Sequence, residues 1–356
     1  MTKHIKENDR LRKIVESFPK LTITVLADLV ADEFVFGEIS RVSREAPVLI
    51  LKHRDRTVVP GGGANAICNL ADLGVNVLPV GVVGDDEPGK QLLRAFRHKR
   101  IPVSGVLKDK SYTTVTKTRI LAGFAHTAGQ QVVRLDREPA EGPNSHLRRE
   151  LVLSAREYAR ASDALLVSDY GYGAATPTLL NVIRDKRGID KVPVTLDSRH
   201  RLLEFSGITA ATPNESEVEE VLGIRIGNGN GNGNDNDNDN GWERLLAAGV
   251  QIVGEMNLES LLITRGKDGM VVFPRRHKPV DIPIQGSDEV TDVTGAGDTV
   301  IATFTAALAA GATAEEAAHL ANYAGGIVVM KRGTATVSQQ ELLEALERTP
   351  PVAREH

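Results

Sequence analysis

A run of small residues followed by one acidic residue marks the segment DVTGAGDT, residues 292–299. Gly295, Ala296 and Gly297 carry little or no side chain, so a ligand can approach their backbone closely. The alanine-rich stretch that follows predicts a helix, whose first N–H groups and positive dipole end favour an anion. Asp298, in the first turn, could accept a proton from a hydroxyl that attacks a bound phosphoryl group. Alternatively, Asp298 only caps the helix.

Other candidate site residues are polar residues that lie next to glycines or at the ends of apolar runs. GGGAN at 61–65, TPNESE at 212–217 and TRGKDG at 264–269 are the glycine-rich or polar stretches. Asp169 and Asp197 each end a short apolar run that is typical of a buried strand. Ligands of open α/β sheets bind outside the carboxyl ends of the strands. We therefore expect both aspartates at the border of a site, and Asp169 among the substrate-binding residues.

The elements that must position these residues alternate along the chain. Apolar runs rich in β-branched residues, such as LTITVLAD at 21–28 and ALLVSDY at 164–170, predict buried strands. Helical patterns separate such runs, most regularly from residue 144 onward. This alternation predicts an α/β fold with a doubly wound, mostly parallel sheet flanked by helices.

Two segments interrupt this rhythm near the N-terminus. Residues 33–60 and 103–136 alternate apolar and polar residues, as antiparallel strands with one solvated face do. We expect them to form a small β-sheet lid on a single α/β domain. Closing such a lid would exclude water from the site.

The remaining segments differ from this domain in composition. Residues 1–20 are charged and predict a helical leader, the main domain spans 21–348, and 349–356 form a tail. Residues 227–241 contain only Gly, Asn and Asp. Because this stretch has no apolar side chain to bury, it predicts a disordered surface loop.

Composition excludes several classes of protein. With 41% hydrophobic residues among 356, the chain is globular rather than disordered. A net charge of -4 argues against a protein that mainly coats nucleic acid or a membrane surface. The single cysteine, Cys68, cannot form an intrachain disulfide, and its apolar surroundings predict a buried, inert thiol. The charged N-terminus lacks the apolar region of a secretory signal, so we expect a cytoplasmic protein.

Together the motifs resemble those of the ribokinase/PfkB family of carbohydrate kinases. DVTGAGDT is similar to the family's DTxGAGD-type signature, and GGGAN is similar to its N-terminal glycine motif. TPNESE contains the NxxE motif and TRGKDG the TxGxxG element, in the family's order, and the resemblance covers about residues 20–347. It implies a ribokinase-like fold and ATP-dependent phosphoryl transfer to a sugar, with Mg²⁺.

The resemblance also implies a role for each matching residue. Asp298 corresponds to the catalytic base, and the backbone of Gly295, Ala296 and Gly297 to the anion hole. The sugar-binding positions are Asp32, Gly62 and Asn65. The nucleotide and metal positions are Asn214 and Glu217, which organise Mg²⁺ through water, Thr264 and Gly266 at the nucleotide phosphates, Asn322 beside the adenine, and Asp292 and Thr294 at a monovalent cation such as K⁺.

Within that family the sequence resembles the kinase domain that acts on D-glycero-D-manno-heptose 7-phosphate. The segments that carry this resemblance are GEISRVSREAPVLIL (37–51), VVRLDRE (132–138), SDYGYG (168–173) and VVMKRGTATVS (328–338). It implies transfer of the ATP γ-phosphoryl group to the anomeric hydroxyl, giving the 1,7-bisphosphate used for lipopolysaccharide core. Ala27 and Tyr172 depart from the pattern, which has glycine and lysine there. The HxGH motif of a frequently fused nucleotidylyltransferase is missing, so we expect kinase activity alone.

A 7-phosphate requires a cationic partner. Arg119 and Arg134, and also Arg41 and Lys117, lie on the expected lid strands. Arginine can bind phosphate through two parallel hydrogen bonds, and Arg134 is the preferred candidate. Alternatively, each of these residues belongs to a solvated strand face.

Two other functions remain open at this level. One is a PfkB-type kinase for another sugar or sugar phosphate, such as fructose, ribose or a hexose phosphate. The other is a nucleotide-binding regulator that has kept the fold and lost the chemistry. The expected partners are the sugar phosphate and ATP, with no nucleic acid and no membrane. In this family lids often pair between subunits, which implies a homodimer through the lid.

Overall fold

A computed structural model describes residues 2–123, 130–184, 192–226, 239–285, 292–331 and 333–348. The predicted tail at 349–356 and most of the predicted loop, 227–238, lie outside these described residues. The helices are α1 (Thr2–Ser17), α2 (Gly63–Asp72), α3 (Glu87–His98), α4 (Ser145–Ala159), α5 (Pro177–Arg184), α6 (Glu215–Leu222), α7 (Asp239–Glu255), α8 (Ala296–Ala309), α9 (Ala314–Val328) and α10 (Gln339–Arg348).

The strands form two separate sheets. They are β1 (Thr22–Ala27), β2 (Leu29–Val42), β3 (Leu49–Gly62), β4 (Asn76–Gly84), β5 (Val106–Asp109), β6 (Val115–Gly123), β7 (Gln130–Arg137), β8 (Ala164–Asp169), β9 (Val194–Ser198), β10 (Ala210–Ala211), β11 (Ser260–Thr264), β12 (Met270–Pro274) and β13 (Val280–Ile282). Within the described residues the main sheet has the order β13-β12-β11-β10-β9-β8-β1-β4-β5. The small sheet has the order β3-β2-β6-β7.

The main sheet is parallel except at one edge. β12 runs antiparallel to β11, and β13 antiparallel to β12. Helices cover both faces, since Ile23 and Val25 of β1 pack into one hydrophobic cluster and Leu26 into the other. Successive residues of a strand point to opposite faces, which explains this division. The predicted α/β class with a doubly wound, mostly parallel sheet is confirmed.

The chain passes from the main sheet into the small sheet at Asp28. This residue lies between the end of β1 and the start of β2, and the chain returns through β3 directly into α2. The first five residues of β2 are buried, whereas every residue of β7 is exposed. The small sheet is therefore anchored at one end and projects into solvent at the other.

Two predicted boundaries are wrong. Residues 103–136 do not all belong to the small sheet, because β5 pairs with β4 in parallel at the edge of the main sheet. The predicted loop at 227–241 ends earlier than expected, because α7 begins at Asp239.

The charged leader at 1–20 is part of the main domain. Leu11, Ile14 and Val15 of α1 are buried in a core cluster, as is Phe18 directly after it. The polar face of α1 contacts α10, where Arg12 forms an ion pair with Glu347 at 2.6 Å. Because this segment is rich in charged residues, its apolar residues at helical spacing were not predicted to belong to the core.

The α2 helix carries Cys68, which is buried as predicted. Burial raises the pKa of its thiol to about 12. None of the helices in the described ranges has the length and apolar character required to cross a bilayer.

Candidate active site

Asp298 lies where three parts of the chain meet. It occupies the first turn of α8 and is 4% exposed. Its Oδ2 accepts a hydrogen bond from the Asn65 side chain of α2 at 3.0 Å. Its Oδ1 accepts one from the Tyr170 hydroxyl, in the loop after β8, at 2.8 Å. The structure thus places Asp298 and Asn65 in direct contact.

The setting of Asp298 suits proton transfer. Burial raises the pKa of its carboxyl to about 7, although the hydrogen bonds from Asn65 and Tyr170 act in the opposite direction. A group whose pKa lies near neutrality can both take and release a proton at physiological pH. A buried carboxyl of this kind is able to act as a general base.

The start of α8 is open. Gly295 precedes the helix with φ +80°, in the left-handed region that favours glycine, and no side chain caps the helix. Gly297 is exposed, and nothing lies within 4 Å of where its Cβ would be. The first N–H groups of a helix have no partner within it. The alternative that Asp298 caps the helix is therefore wrong, because its carboxylate bonds to Asn65 and Tyr170 instead.

Asp32 lies near Asp298 at the base of the small sheet. It raises the pKa of Asp298 through its negative charge. Its own Oδ1 accepts from Arg119 Nη1 at 2.6 Å, and its Oδ2 accepts from the Thr334 hydroxyl at 3.1 Å. A Cβ on Gly61 would come within 2.2 Å of the carboxylate. The glycine at that position leaves room for Asp32.

Gly62 also borders this group. It has φ +51°, and a Cβ there would lie 3.1 Å from the Tyr170 ring. The predicted sugar-binding residues Asp32, Gly62 and Asn65 therefore converge on Asp298 and Tyr170. Distant segments supply them, since β2, α2 and α8 meet only in the folded chain.

A second group lies at the carboxyl ends of β9, β10 and β11. Asn214 and Glu217 form a capping box at the start of α6, in which Asn214 Oδ1 accepts from the Glu217 N–H at 2.9 Å. Asn214 also forms a bridge with Thr264 at the end of β11. Gly266 follows with φ +56° and nothing within 4 Å of where its Cβ would be. The predicted nucleotide-binding residues are thus neighbours.

Several carboxylates lie close together here, and the charge of Arg199 only partly offsets theirs. Burial raises the pKa of Asp197 well above its usual range, and the charges of Glu217, Asp298 and Asp169 add to the effect. Burial also raises the pKa of Glu217. Within the described residues no three acidic, histidine or cysteine side chains converge closely enough to ligate an ion directly. Mg²⁺ usually keeps several waters, and this accumulated negative charge fits such an ion.

Asp169 has a different role from the one predicted. It is 2% exposed, and its carboxylate forms an ion pair with Arg201 and accepts from the Ser198 hydroxyl at 2.8 Å. It also accepts from the Gly171 N–H at 2.9 Å. These bonds turn its oxygens toward the protein, so Asp169 positions two loops and does not face a ligand.

The remaining predicted residues are held by the backbone. Asn322 is buried in α9 and donates to the Pro283 carbonyl at 2.7 Å. Asp292 accepts from the N–H of Thr294 at 2.9 Å and of Gly333 at 3.0 Å. Although burial opposes it, these bonds lower the pKa of Asp292. Residues 286–291, between Pro283 and Asp292, lie outside the described part of the chain.

Asp28 is a site residue that the sequence analysis missed. It is 1% exposed and accepts from the N–H groups of Tyr170 at 3.0 Å, Tyr172 at 2.8 Å and Ala174 at 2.8 Å. Burial and the charge of Asp169 raise its pKa to about 6, against the effect of these N–H groups. An acidic residue at the end of the first buried strand was the available signal. Asp28 holds the loop that carries Tyr170.

The candidate phosphate-binding arginines are both paired with acids. Arg119 bonds to Asp32, and its guanidinium lies over the Phe34 ring, 5.4 Å from the centroid. Arg134 pairs with Asp136, with Nη2 and Oδ2 2.5 Å apart. Arg134 borders a cavity of about 660 Å³ beside Tyr170, and Arg119 is not among the described residues that line it.

Comparison with known proteins gives a family match over most of the chain. The profile described as pfkB family carbohydrate kinase matches residues 30–341. The chain is 38% identical over 340 residues to "Bifunctional protein HldE" of Geobacter metallireducens, covering 94% of this chain and 66% of that protein. The same protein of Gluconobacter oxydans is 35% identical over 340 residues, covering 95% and 67%. The chain thus spans about two thirds of the length of these relatives.

Solved structures share the fold. Ribokinase of Arabidopsis thaliana, solved with ribose and ATP, aligns with a TM-score of 0.70 at 21% identity, covering 92% of this chain and 99% of that one. Phosphofructokinase-2 of Escherichia coli, solved with potassium, aligns with a TM-score of 0.71 at 16% identity, covering 92% and 98%. The predicted enzyme class, a carbohydrate kinase, is confirmed by the family match. The chain belongs to the pfkB family of carbohydrate kinases.

Proposed function

We propose that this kinase transfers the γ-phosphoryl group of ATP to the anomeric hydroxyl of D-glycero-D-manno-heptose 7-phosphate. The product is the 1,7-bisphosphate. The observation that carries the chemistry is the buried Asp298 beside the open start of α8. The choice of sugar is supported by the lid and loop segments that resemble heptose-7-phosphate kinases, and the chain is 38% identical to a relative named "Bifunctional protein HldE".

Asp298 supplies the base. It accepts the proton of the anomeric hydroxyl as that oxygen forms a bond to the γ-phosphorus. The bond from the γ-phosphorus to the bridging oxygen breaks, and ADP leaves with the electron pair. The N–H groups at the start of α8 stabilise the negative charge on the transferred group, as preorganised donors do.

The sugar side is built from Asp32 and Asn65. A carboxylate that accepts and an amide that donates can orient neighbouring sugar hydroxyls. The Tyr170 hydroxyl donates to Asp298 Oδ1 at 2.8 Å. An incoming hydroxyl therefore replaces the phenol as the donor to Asp298. Closure of the small sheet over the sugar would exclude water and limit ATP hydrolysis.

The nucleotide side is built from Asn214, Glu217, Thr264 and Gly266. Asn214 and Glu217, beside Asp197, would hold Mg²⁺ through water, and Thr264 and Gly266 would contact the phosphates. Mg²⁺ bound there neutralises charge on the transferred phosphoryl group. Asn322 would lie near the adenine, and Asp292 with Thr294 near a monovalent cation such as K⁺.

We also propose that two copies pair through the small sheet. Large apolar side chains are exposed on it at Val42, Val48, Leu49, Val133 and Leu135, and Leu135 is 63% exposed. These residues form two groups, one at the β2–β3 hairpin end and one on the edge strand β7, and exposed apolar groups on an edge favour an interface. Light scattering after gel filtration tests this. A dimer that Leu135→Lys converts to a monomer supports it, and a monomeric parent protein contradicts it.

An ATP-consumption assay tests the reaction. D-glycero-D-manno-heptose 7-phosphate is offered beside fructose 6-phosphate, fructose and ribose, with Asp298→Asn as the inactive variant. Turnover of the heptose phosphate that the variant abolishes supports the proposal. Turnover of another sugar alone retains the mechanism and replaces the substrate. Binding of ATP without turnover on any sugar indicates a regulator instead.

A further inference from the structure

The cavity beside Tyr170 has a basic wall. About 660 Å³ in volume, it is lined by the small sheet, the loop after β8 and the loop after β9. Its cationic residues are Lys117, Arg134, Arg148, Arg199, His200 and Arg201, and its acidic residues are Asp136, Glu138 and Glu141. The question is which of these charges are neutralised within the protein.

Most of the cations have protein partners. Arg134 pairs with Asp136, Arg201 with Asp169, and His200 lies 3.1 Å from Glu220. Arg148 donates to the Pro143 carbonyl at 2.7 Å. Among the acids, Glu138 accepts from the Tyr172 hydroxyl at 3.0 Å. Arg148 therefore has a hydrogen bond but no acidic partner, and Lys117 and Arg199 have neither an ion pair nor a side-chain hydrogen bond to a described residue.

Lys117 is a buried cation without an acidic partner. It is 7% exposed, and among the described residues no carboxylate lies within ion-pair distance of its ammonium. Its neighbours across the strands are Asp32 and Asp136, but each of these is bound to an arginine. The ammonium instead lies over the Tyr170 ring, 5.0 Å from the centroid.

Positive charges meet at this wall. Burial lowers the pKa of Lys117, and the nearby charges of Arg199 and Arg134 lower it further. Arg199 is exposed on the loop after β9 and makes no ion pair with the described residues, although its charge lowers the pKa values of Asp197 and Glu217. Burying an unpaired charge is costly, and bringing like charges together adds to that cost. An anion in the cavity would remove both penalties.

The separation between this basic wall and Asp298 matches the size of one kind of ligand. The Tyr170 side chain spans the gap, with its hydroxyl on Asp298 and its ring under Lys117. A group at Lys117 and a hydroxyl at Asp298 are thus separated by about the size of one ring. A sugar that carries a phosphate away from its reacting hydroxyl has this spacing.

We propose that Lys117 and Arg199 form the subsite that binds the phosphate monoester of the acceptor sugar, with Arg134 at its rim. The proposal rests on the proposed function and adds the residues that select a phosphorylated acceptor. It also accounts for Tyr172, which bonds to Glu138 where the related kinases carry lysine. The cation lacking at that position is supplied from β6 and from the loop after β9.

Kinetics of matched variants test the subsite. Lys117→Gln removes the charge, Lys117→Arg keeps it, and Lys52→Gln removes an exposed charge elsewhere on the small sheet. Each is assayed with D-glycero-D-manno-heptose 7-phosphate and with the same sugar without its phosphate, at saturating ATP. We expect Lys117→Gln and Arg199→Gln to raise KM for the phosphorylated sugar about 10- to 100-fold. Lys117→Arg retains most of the affinity, and Lys52→Gln has no effect.

Two results would overturn the assignment. One is an equal loss for the phosphorylated and the unphosphorylated sugar. The other is a rise confined to KM for ATP, which would place these cations at the nucleotide. Melting temperatures of all variants, followed by circular dichroism, identify any that fail to fold, and Arg199→Gln, at an exposed position, then carries the comparison.

Direct binding separates this proposal from the proposed function. Calorimetry with inorganic phosphate and with fructose 6-phosphate requires no turnover of heptose phosphate. Binding to the parent protein that Lys117→Gln weakens supports the subsite even if heptose phosphate is not a substrate. Equal binding to both proteins contradicts the subsite even if heptose phosphate is turned over.

Discussion

The two sides of the active site are charged in opposite ways, and neither is neutral within the protein. On the main-sheet side, burial raises the pKa values of Asp197, Glu217 and Asp298. On the small-sheet side, burial and two arginines lower the pKa of Lys117. Each side holds desolvated charge for which the described residues supply no full partner. The difference fits the two ligands proposed above, a metal-bound nucleotide on one side and a phosphorylated sugar on the other.

The largest effect is expected from neutralising the acidic side. Asp298→Asn keeps the shape and the acceptor oxygen but cannot take a proton. We expect kcat to fall about 10²- to 10⁴-fold, as for loss of a general base. Steady-state assays at saturating substrates measure this. The exposed Asp55→Asn is the control, and a kcat for Asp298→Asn close to that of the control would remove Asp298 from the base role.

Lowering the pH should reversibly cause part of the same loss of activity. Because burial raises the pKa of Asp298 to about 7, the carboxyl is protonated below that pH and cannot act as a base. We therefore expect kcat/KM to rise with pH up to about 7 and to level off above it. A pH profile of kcat/KM reports this group in the free enzyme. A flat profile between pH 5 and 8 would contradict the assignment.

Weakening the hydrogen bonds that hold the loop after β8 should lower the free energy of unfolding. Asp28→Asn replaces a carboxylate that accepts from four backbone N–H groups with an amide that has one acceptor oxygen. We expect the free energy of unfolding to fall by about 1–3 kcal/mol. Urea unfolding measures it, with the exposed Asp268→Asn as the control. Equal stability of the two variants would show that the loop holds without Asp28.

The smallest effect is expected from changing Tyr170, which contacts both Asp298 and Lys117. Tyr170→Phe removes the hydroxyl that lowers the pKa of Asp298 and keeps the ring under Lys117. We expect the rising limb of the pH profile to move to higher pH by less than about one unit, with the free-energy scale of one hydrogen bond. A shift to lower pH would mean that the phenol does not stabilise the carboxylate.

The sequence motifs predicted where the site's backbone segments lie, but they did not predict which charged side chains form ion pairs. DVTGAGDT and TPNESE were sufficient to locate the start of α8 and of α6, because glycine geometry and capping depend on neighbours in sequence. The partners of Asp169 and Arg119 could not be predicted this way, since Arg201 and Asp32 reach them only in the folded chain. The same limit applies to β5, whose place in the main sheet depends on β4.

The chemistry of Cys68 has a practical consequence. A thiol reacts as its thiolate, and burial in α2 raises the pKa of this one to about 12, so it stays protonated near neutral pH. A cysteine introduced on the exposed strand β7 would then be the reactive thiol of the chain, with no need to replace the native one. A fluorophore attached there would report movement of the small sheet over the sugar in real time.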